Sequence, residues 1–274
     1  MTAMPDAEPV AVISRPRQGM SIERLFMFVS PITVLVLWEV FSDLGWIDRR
    51  VFASPHAVVI LGWGMILDGS LWLNVRATLI RFVLGVLFGG IPGLLLGVTM
   101  GLFRWPRAVL NPLVSALYPL PRISLFPLVL LVVGLNEKSN IIMIALQPFF
   151  YMLIGSLGAV MNVEPIYLRV AKSFKTGTFD LYRLVVIPAA MPIIVSSFRI
   201  AIGGAFLVTV AVESLVAEDG IGFLIWHSWT ILTLGQAMVG LVVAGLIGFA
   251  MLQGLDVLEK KLVPWSNVVR VGRR

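Results

Sequence analysis

The chain has 274 residues, of which 58% are hydrophobic and only 13% charged, with a mean hydropathy of +0.95. A soluble domain of this length needs far more charge to cover its surface, so the class left is an all-α polytopic membrane protein. The absence of cysteine excludes disulfides and thiolate sites, and a net charge of +6 scattered over short loops and the tail argues against nucleic-acid binding.

Residues 1–22 are polar and read as a cytoplasmic N-terminal tail, with Arg15, Arg17 and Arg24 leading into the first apolar stretch. That stretch is long and has no small-residue cleavage site, so it reads as a retained anchor rather than a cleaved signal. Crossing about 30 Å of hydrocarbon takes roughly 20 helical residues. By that measure six transmembrane helices are expected, near 25–45, 79–102, 111–134, 139–161, 193–216 and 236–256. They form a transmembrane domain over 23–258, followed by a cytoplasmic tail, 259–274. The segment 54–74 is interrupted by Pro, Gly and Asp. It reads as an interfacial or extracytoplasmic helix, with a seventh span as the alternative.

Charge sets the orientation. An inside N-terminus puts Arg104 and Arg107 of the 103–110 turn inside, together with Arg169, Lys172, Lys175 and Arg183 of the 162–192 loop. The tail cations Lys260, Lys261, Arg270, Arg273 and Arg274 fall on the same side. The opposite loops carry Asp43, Asp48, Glu137, Glu218 and Asp219, although Arg49, Arg50 and Arg76 fall there too. Both termini are therefore expected in the cytoplasm.

In the second span Gly85, Gly89, Gly93, Gly97 and Gly101 recur every four residues. This spacing makes a groove along which another helix can approach closely, with helix packing the favoured use over a gate. Pro92 sits mid-span and kinks it unless neighbours satisfy the freed carbonyl. In the third span Arg122 stands among Pro119, Pro121 and Pro127, a setting for broken helix geometry. Its readings are a translocation-pathway contact for an anion, a gate or structural ion pair, or snorkelling. Gln147, before Pro148, has the choice of solute or a neighbouring helix. Glu213 and Glu39 are each able to neutralise Arg122 or Arg81, with pairing favoured over solute contact. Arg199 and His227 read as interfacial. No cluster has metal-ligand spacing and no nucleophile–base pair stands out, so no catalytic residue and no metal are assigned.

The longest hydrophilic stretch between spans is 162–192. Two helical pieces are expected in it, over 165–174 and 180–187, with Gly177 between them and Pro188 and Pro192 leading into the next span. Such a segment serves either as a solvated loop or as a lever lying along the membrane for a soluble partner.

This segment resembles the cytoplasmic EAA loop, the coupling-helix loop of the binding-protein-dependent permeases of bacterial ABC importers. The motif there reads E-A-A-x-x-x-G and ends on L-P-x-x-x-P. Here VAKSF at 170–174, residues 181–183 and VVIPAAMP at 185–192 carry the likeness. Counting back from Pro188, Arg169 stands at the glutamate position and Lys175 at the glycine position, with Gly177 two residues late. Further matching stretches are LWE (37–39), SP (54–55), residues 79–81, PLPRISLFP (119–127), GLNEK (134–138), AVE (211–213) and GIGFLI (220–225). They make the chain most similar to the nitrate, sulfonate and bicarbonate (taurine-like) branch.

The resemblance implies the permease subunit of an ATP-driven importer in the bacterial inner membrane. Its expected partners are a second permease copy, ABC ATPase subunits, an extracytoplasmic solute-binding protein and membrane lipid. The coupling residues would be Glu164, Arg169, Ala171, Lys172, Lys175, Gly177, Arg183 and Pro188. The chain has no G-x-x-x-x-G-K-[ST] loop, so ATP-Mg would be bound by a partner and no cofactor by this chain. The expected solute is a small anion such as a sulfonate, nitrate or bicarbonate. The alternatives are an uncharged or aromatic solute in the same fold, a vitamin precursor for example, and an ion-driven secondary transporter.

Overall fold

The computed structural model describes residues 20–48 and 51–265. It divides into two compact units, residues 1–56 and 57–274. Arg15, Arg17, Arg49, Arg50, Arg270, Arg273 and Arg274 lie outside the described residues. All described elements are helices: α1 (Met20–Asp43), α2 (Pro55–Leu67), α3 (Ser70–Leu102), α4 (Arg104–Leu117), a 3₁₀ turn (Arg122–Leu125), α5 (Phe126–Val133), α6 (Glu137–Met161), α7 (Pro165–Ser173), α8 (Thr178–Asp180), a π turn (Leu181–Val186), α9 (Ile187–Val216), α10 (Ile221–Thr230) and α11 (Leu234–Leu262).

In the first unit, α1 has 24 residues and contains Pro31. Near its end Glu39 accepts from His56, through the backbone N–H at 3.1 Å and facing Nδ1 at 2.5 Å. Glu39 is thus engaged with His56.

In the second unit, four helices are long and apolar enough to cross a membrane: α3, α6, the continuous run Thr178–Val216, and α11. The segment at 54–74 resolves into 13-residue α2 and the first turns of α3. At 1.5 Å per residue α2 rises about 20 Å, too little to cross the hydrocarbon. Asp68 accepts from the Ser70 backbone N–H at 2.8 Å and starts α3. Hydrogen bonds from the Ser70 hydroxyl and backbone hold that carboxyl below its ordinary pKa. Asn136 caps α6, accepting from the N–H groups of Lys138 (2.9 Å) and Ser139 (3.2 Å), while Ser139 Oγ faces its own N–H in a capping box.

Helix α6 is central, packing on α3 along one side and on α9 along another. The glycines of α3 make the first contact so close. A Cβ at Gly89, Gly93 or Gly97 would overlap the carbonyl groups of Ala145, Phe149 or Leu153, and one at Gly85 or Gly101 would overlap Ile144 or Val160. Backbone thus meets backbone, and dispersion between the helices replaces the hydrophobic driving force that lipid does not supply. Met152, Ala159, Val160, Val186, Ala190 and Ile194 continue the core toward α9.

Four expectations are corrected. The stretch 103–110 is not a turn: Phe103 alone separates α3 from α4, because its extended backbone (φ −116°, ψ 132°) is enough to redirect the chain. The span expected over 111–134 is not continuous. Its two halves meet at 93°, since Pro119 and Pro121 have no N–H to donate and Pro121 itself takes an extended backbone (φ −67°, ψ 105°). The helical piece expected at 180–187 is not separate but runs through the π turn into α9. Pro188 has no N–H for the Leu184 carbonyl, and the widened turn lies just before it. Finally, α11 extends to Leu262, so Lys260 and Lys261 stand in its last turn, where their charge complements the helix dipole, rather than in a tail.

Candidate functional site

Three clusters of polar side chains emerge in the second unit. The first gathers around Arg81, whose side chain is only 5% exposed. Asn74, Thr78 and Arg81 share one face of α3, four and three residues apart. Arg81 donates through Nε to Glu137 Oε2 (2.8 Å), through Nη2 to Glu137 Oε1 (2.5 Å) and to Asp219 Oδ1, and through Nη1 to Glu213 Oε1 (3.1 Å) and the Asp219 carbonyl (2.8 Å). Thr78 Oγ1 donates to Glu213 Oε2 (2.8 Å) and accepts from the Ile221 N–H (2.8 Å). Gly222 N–H also reaches Glu213 (3.0 Å), and Asn74 accepts from Gly220 N–H (2.8 Å).

The backbone allows this crowding only because two glycines stand where Glu213 arrives. Gly220 has φ +109°, and a Cβ there or at Gly222 would overlap the Glu213 side chain. A buried guanidinium with carboxylates on several sides is stable because every donor has a partner. The cluster ties α3, α6, α9 and α10 together at one end of the bundle.

The second cluster is built at the α4–α5 break. Arg122 donates through Nη1 to Gln147 Oε1 at 2.8 Å, and its guanidinium carbon lies 5.3–5.5 Å from the ring centroids of Tyr118, Phe150 and Tyr151. Gly204 of α9 leaves room for the Gln147 amide, whose Nε2 would lie 2.6 Å from a Cβ there. Arg122 Nε is buried with no hydrogen-bond partner among the described residues. The cation is thus held by ring faces, the Gln147 amide and, through Nη2, the Tyr118 carbonyl (3.4 Å), with no carboxylate on it among the described residues and the buried Nε unused.

The structure brings together Arg122 and Gln147 of the expected pathway residues. It sends Glu213 to Arg81 instead. Arg199, expected at an interface, pairs with Asp256 of α11 at 2.5 Å, and His227 stacks on Phe223. Sequence reasoning missed Asn74, Thr78, Glu137 and Asp219 around Arg81, and the three rings around Arg122. The i, i+4, i+7 spacing of Asn74, Thr78 and Arg81 in an apolar helix was the available signal for the first set.

The third cluster lies on the segment 162–192. Helix α7 ends in a Schellman motif: Thr176 N–H donates to the Ala171 carbonyl (3.2 Å) and Lys175 N–H to that of Lys172 (2.9 Å). The motif needs a left-handed residue just beyond the cap, and Lys175 occupies it with φ +53°. Gly177, at φ −63°, has an ordinary backbone. Ala171 is buried, whereas Glu164, Arg169, Lys172, Lys175 and Arg183 are exposed and, among the described residues, make no ion pair. An apolar groove of about 800 Å³ runs beside them, lined by Tyr167, Val170 and Phe174 of α7 with Leu184, Pro188 and Trp265.

Residues 93–267, from the middle of α3 beyond the end of α11, match the family described as the binding-protein-dependent transport system inner membrane component. The chain belongs to that family.

The permease is 28% identical over 236 residues to the putative aliphatic sulfonates transport permease protein SsuC of Escherichia coli (strain K12), covering 86% of this chain and 90% of that one. It is 28% identical over 242 residues to the taurine transport system permease protein TauC of the same organism (86% and 88% covered). It is 27% identical over 241 residues to the nitrate import permease protein NrtB of Leptolyngbya laminosa (84% and 85%). Its fold is similar to that of a chain in the inward-facing MetNI methionine ABC transporter, with a TM-score of 0.54 at 17% identity, covering 70% of this chain and 97% of that one. A chain of an amino acid ABC transporter with histidines gives the same score and identity, covering 74% and 97%. The permease is therefore a transport component and not an enzyme.

Proposed function

We propose that this permease forms the translocation pathway of an importer for a small organic or inorganic anion of the sulfonate or nitrate class. It does so as one of two permease copies, with ATPase subunits that hold ATP-Mg and an extracytoplasmic binding protein that delivers solute. Six spans are assigned: α1, α3, the bent α4–α5 pair, α6, α9 and α11. Both termini lie in the cytoplasm, where Arg104, Arg107, the α7 cations, Lys260 and Lys261 follow the positive-inside rule. Helix α7 and the turns that follow it are the coupling element, presenting Arg169 and Lys172 of the helix, Lys175 just beyond it and Arg183 of the π turn to the ATPase.

The single observation that carries the solute class is Arg122. It is a guanidinium in an aromatic setting with a buried, unused Nε donor and, among the described residues, no carboxylate paired to it. An oxyanion supplies the missing acceptor, and the names of the sulfonate, taurine and nitrate relatives agree with that chemistry. The test is uptake and solute-stimulated ATP hydrolysis by the reconstituted transporter with candidate anions. Arg122→Gln is expected to lower stimulation about tenfold. Tight binding of only neutral ligands by the partner binding protein would overturn the anion assignment. The three rings favour an aromatic solute as the second reading, in which Arg122→Gln leaves stimulation intact.

A further inference from the structure

Beside the Arg81 cluster, a polar cleft of about 310 Å³ opens between the first turn of α6 and the chain leaving α9. It is lined by Leu135, Asn136, Glu137, Asn140, Glu218 and Asp219 among others. Arg81 approaches Glu137 and Asp219 from the buried side, holding both carboxylates in place without filling the cleft. Three acceptors are left over. Glu218 is exposed and, among the described residues, makes no ion pair. Asp219 uses Oδ1 toward Arg81, and its second oxygen accepts no hydrogen bond among the described residues. Asn140, only 4% exposed, carries a buried Oδ1 with no hydrogen-bond partner among the described residues. Leaving such an acceptor unmade costs about 1–3 kcal/mol, so its place in the wall of a carboxylate-lined cleft points to a donor that arrives from outside.

The cleft asks for a group with several N–H donors and a positive charge. Three carboxylates line it against the one guanidinium of Arg81. No group of three His, Cys, Asp or Glu among the described residues is arranged to hold a metal ion, which leaves an ammonium or guanidinium. Arg122 and Gln147 do not line the cleft, so the donor is not solute on that pathway.

We infer that this cleft is the docking notch for a lysine or arginine side chain of the extracytoplasmic solute-binding protein. The inference rests on the proposed importer function, which puts this end of α6 and α9 on the extracytoplasmic side. A basic side chain entering the notch meets Glu218, Asp219 and the Asn140 carbonyl oxygen. It also adds charge beside the cluster that joins α3, α6, α9 and α10, so docking is felt by four helices at once.

The test uses the complete transporter in nanodiscs, titrated with its binding protein, reading the concentration for half-maximal stimulation of ATP hydrolysis. Glu218→Lys is expected to raise that concentration more than tenfold and Glu218→Gln about threefold, with the wild-type value rising steeply with salt. Asn140→Asp adds a charged acceptor at a buried position and is expected to lower it. Unchanged midpoints in both Glu218 variants, with wild type normally stimulated, would overturn the notch and leave the importer function standing. If the binding protein fails to stimulate even the wild type, the importer reading itself falls. A thermal shift by free arginine amide that Glu218→Gln abolishes, with unchanged midpoints, would reassign the cleft to a small cation and overturn the protein partner.

Discussion

Arg81 Nη1 lies 3.1 Å from Glu213 Oε1, and both side chains are buried between α3 and α9. Removing one partner of such a pair strands the other charge, which costs about 3–5 kcal/mol. Arg81→Ala is therefore expected to lower the thermal stability of the purified permease sharply. Glu213→Gln keeps an acceptor oxygen for the Thr78 hydroxyl and the Gly222 N–H, and its loss is expected to be smaller. Equal melting temperatures for Arg81→Ala and wild type would refute the structural role.

Lys175 adopts a left-handed backbone that costs an L-residue roughly 1–2 kcal/mol and a glycine almost nothing. Lys175→Gly is expected to stabilise the end of α7 by about 1 kcal/mol, and a β-branched Lys175→Val to destabilise it. Gly177→Ala is expected to be neutral, because its φ is ordinary and a Cβ there meets nothing within 4 Å. Hydrogen exchange of the 171–176 amides reads all three.

The α3–α6 contact makes a graded prediction. Gly89→Val pushes a side chain into the Ala145 carbonyl, and overpacking against backbone is expected to cost at least about 1–3 kcal/mol. Gly245→Ala, where a Cβ meets nothing, is the matched control. Unfolding in detergent should separate the two, and comparable stabilities would show that the helices slide apart without loss.

Charge reversal at the exposed Lys172 or Arg183 is expected to uncouple transport while membrane insertion persists. Solute-stimulated ATP hydrolysis, measured beside the amount of permease in the membrane, checks this. Wild-type stimulation in both variants would remove these cations from the coupling contact.

At the pathway, Arg122→Lys keeps the charge but loses the planar stack on Tyr118, Phe150 and Tyr151. Stimulation by anions is expected to fall between that of wild type and Arg122→Gln. A lysine variant equal to wild type would mean that charge alone matters there.

Much of this was legible in the chain itself. Apolar runs long enough to cross a bilayer announce α3, α6 and α11, because length and hydropathy are local properties. The four-residue glycine period likewise marks one face of α3, and the proline pair around Arg122 marks a break, though not its 93° angle. The motif register put a glycine demand at position 175, and the left-handed backbone of Lys175 lies at that same position. Pairing was decided only in three dimensions. Nothing in the sequence says that Glu213 meets Arg81 and not Arg122, or that Glu137 and Asp219 join them across 56 and 138 residues. Such partners depend on how α3, α6 and α9 cross, and those crossings follow from backbone contacts at glycines that carry no label for their counterpart. The sequence thus determined the elements, the class and the family resemblance. The tertiary structure decided which charge is spent on holding helices together and which, at Arg122, is left with a donor to offer.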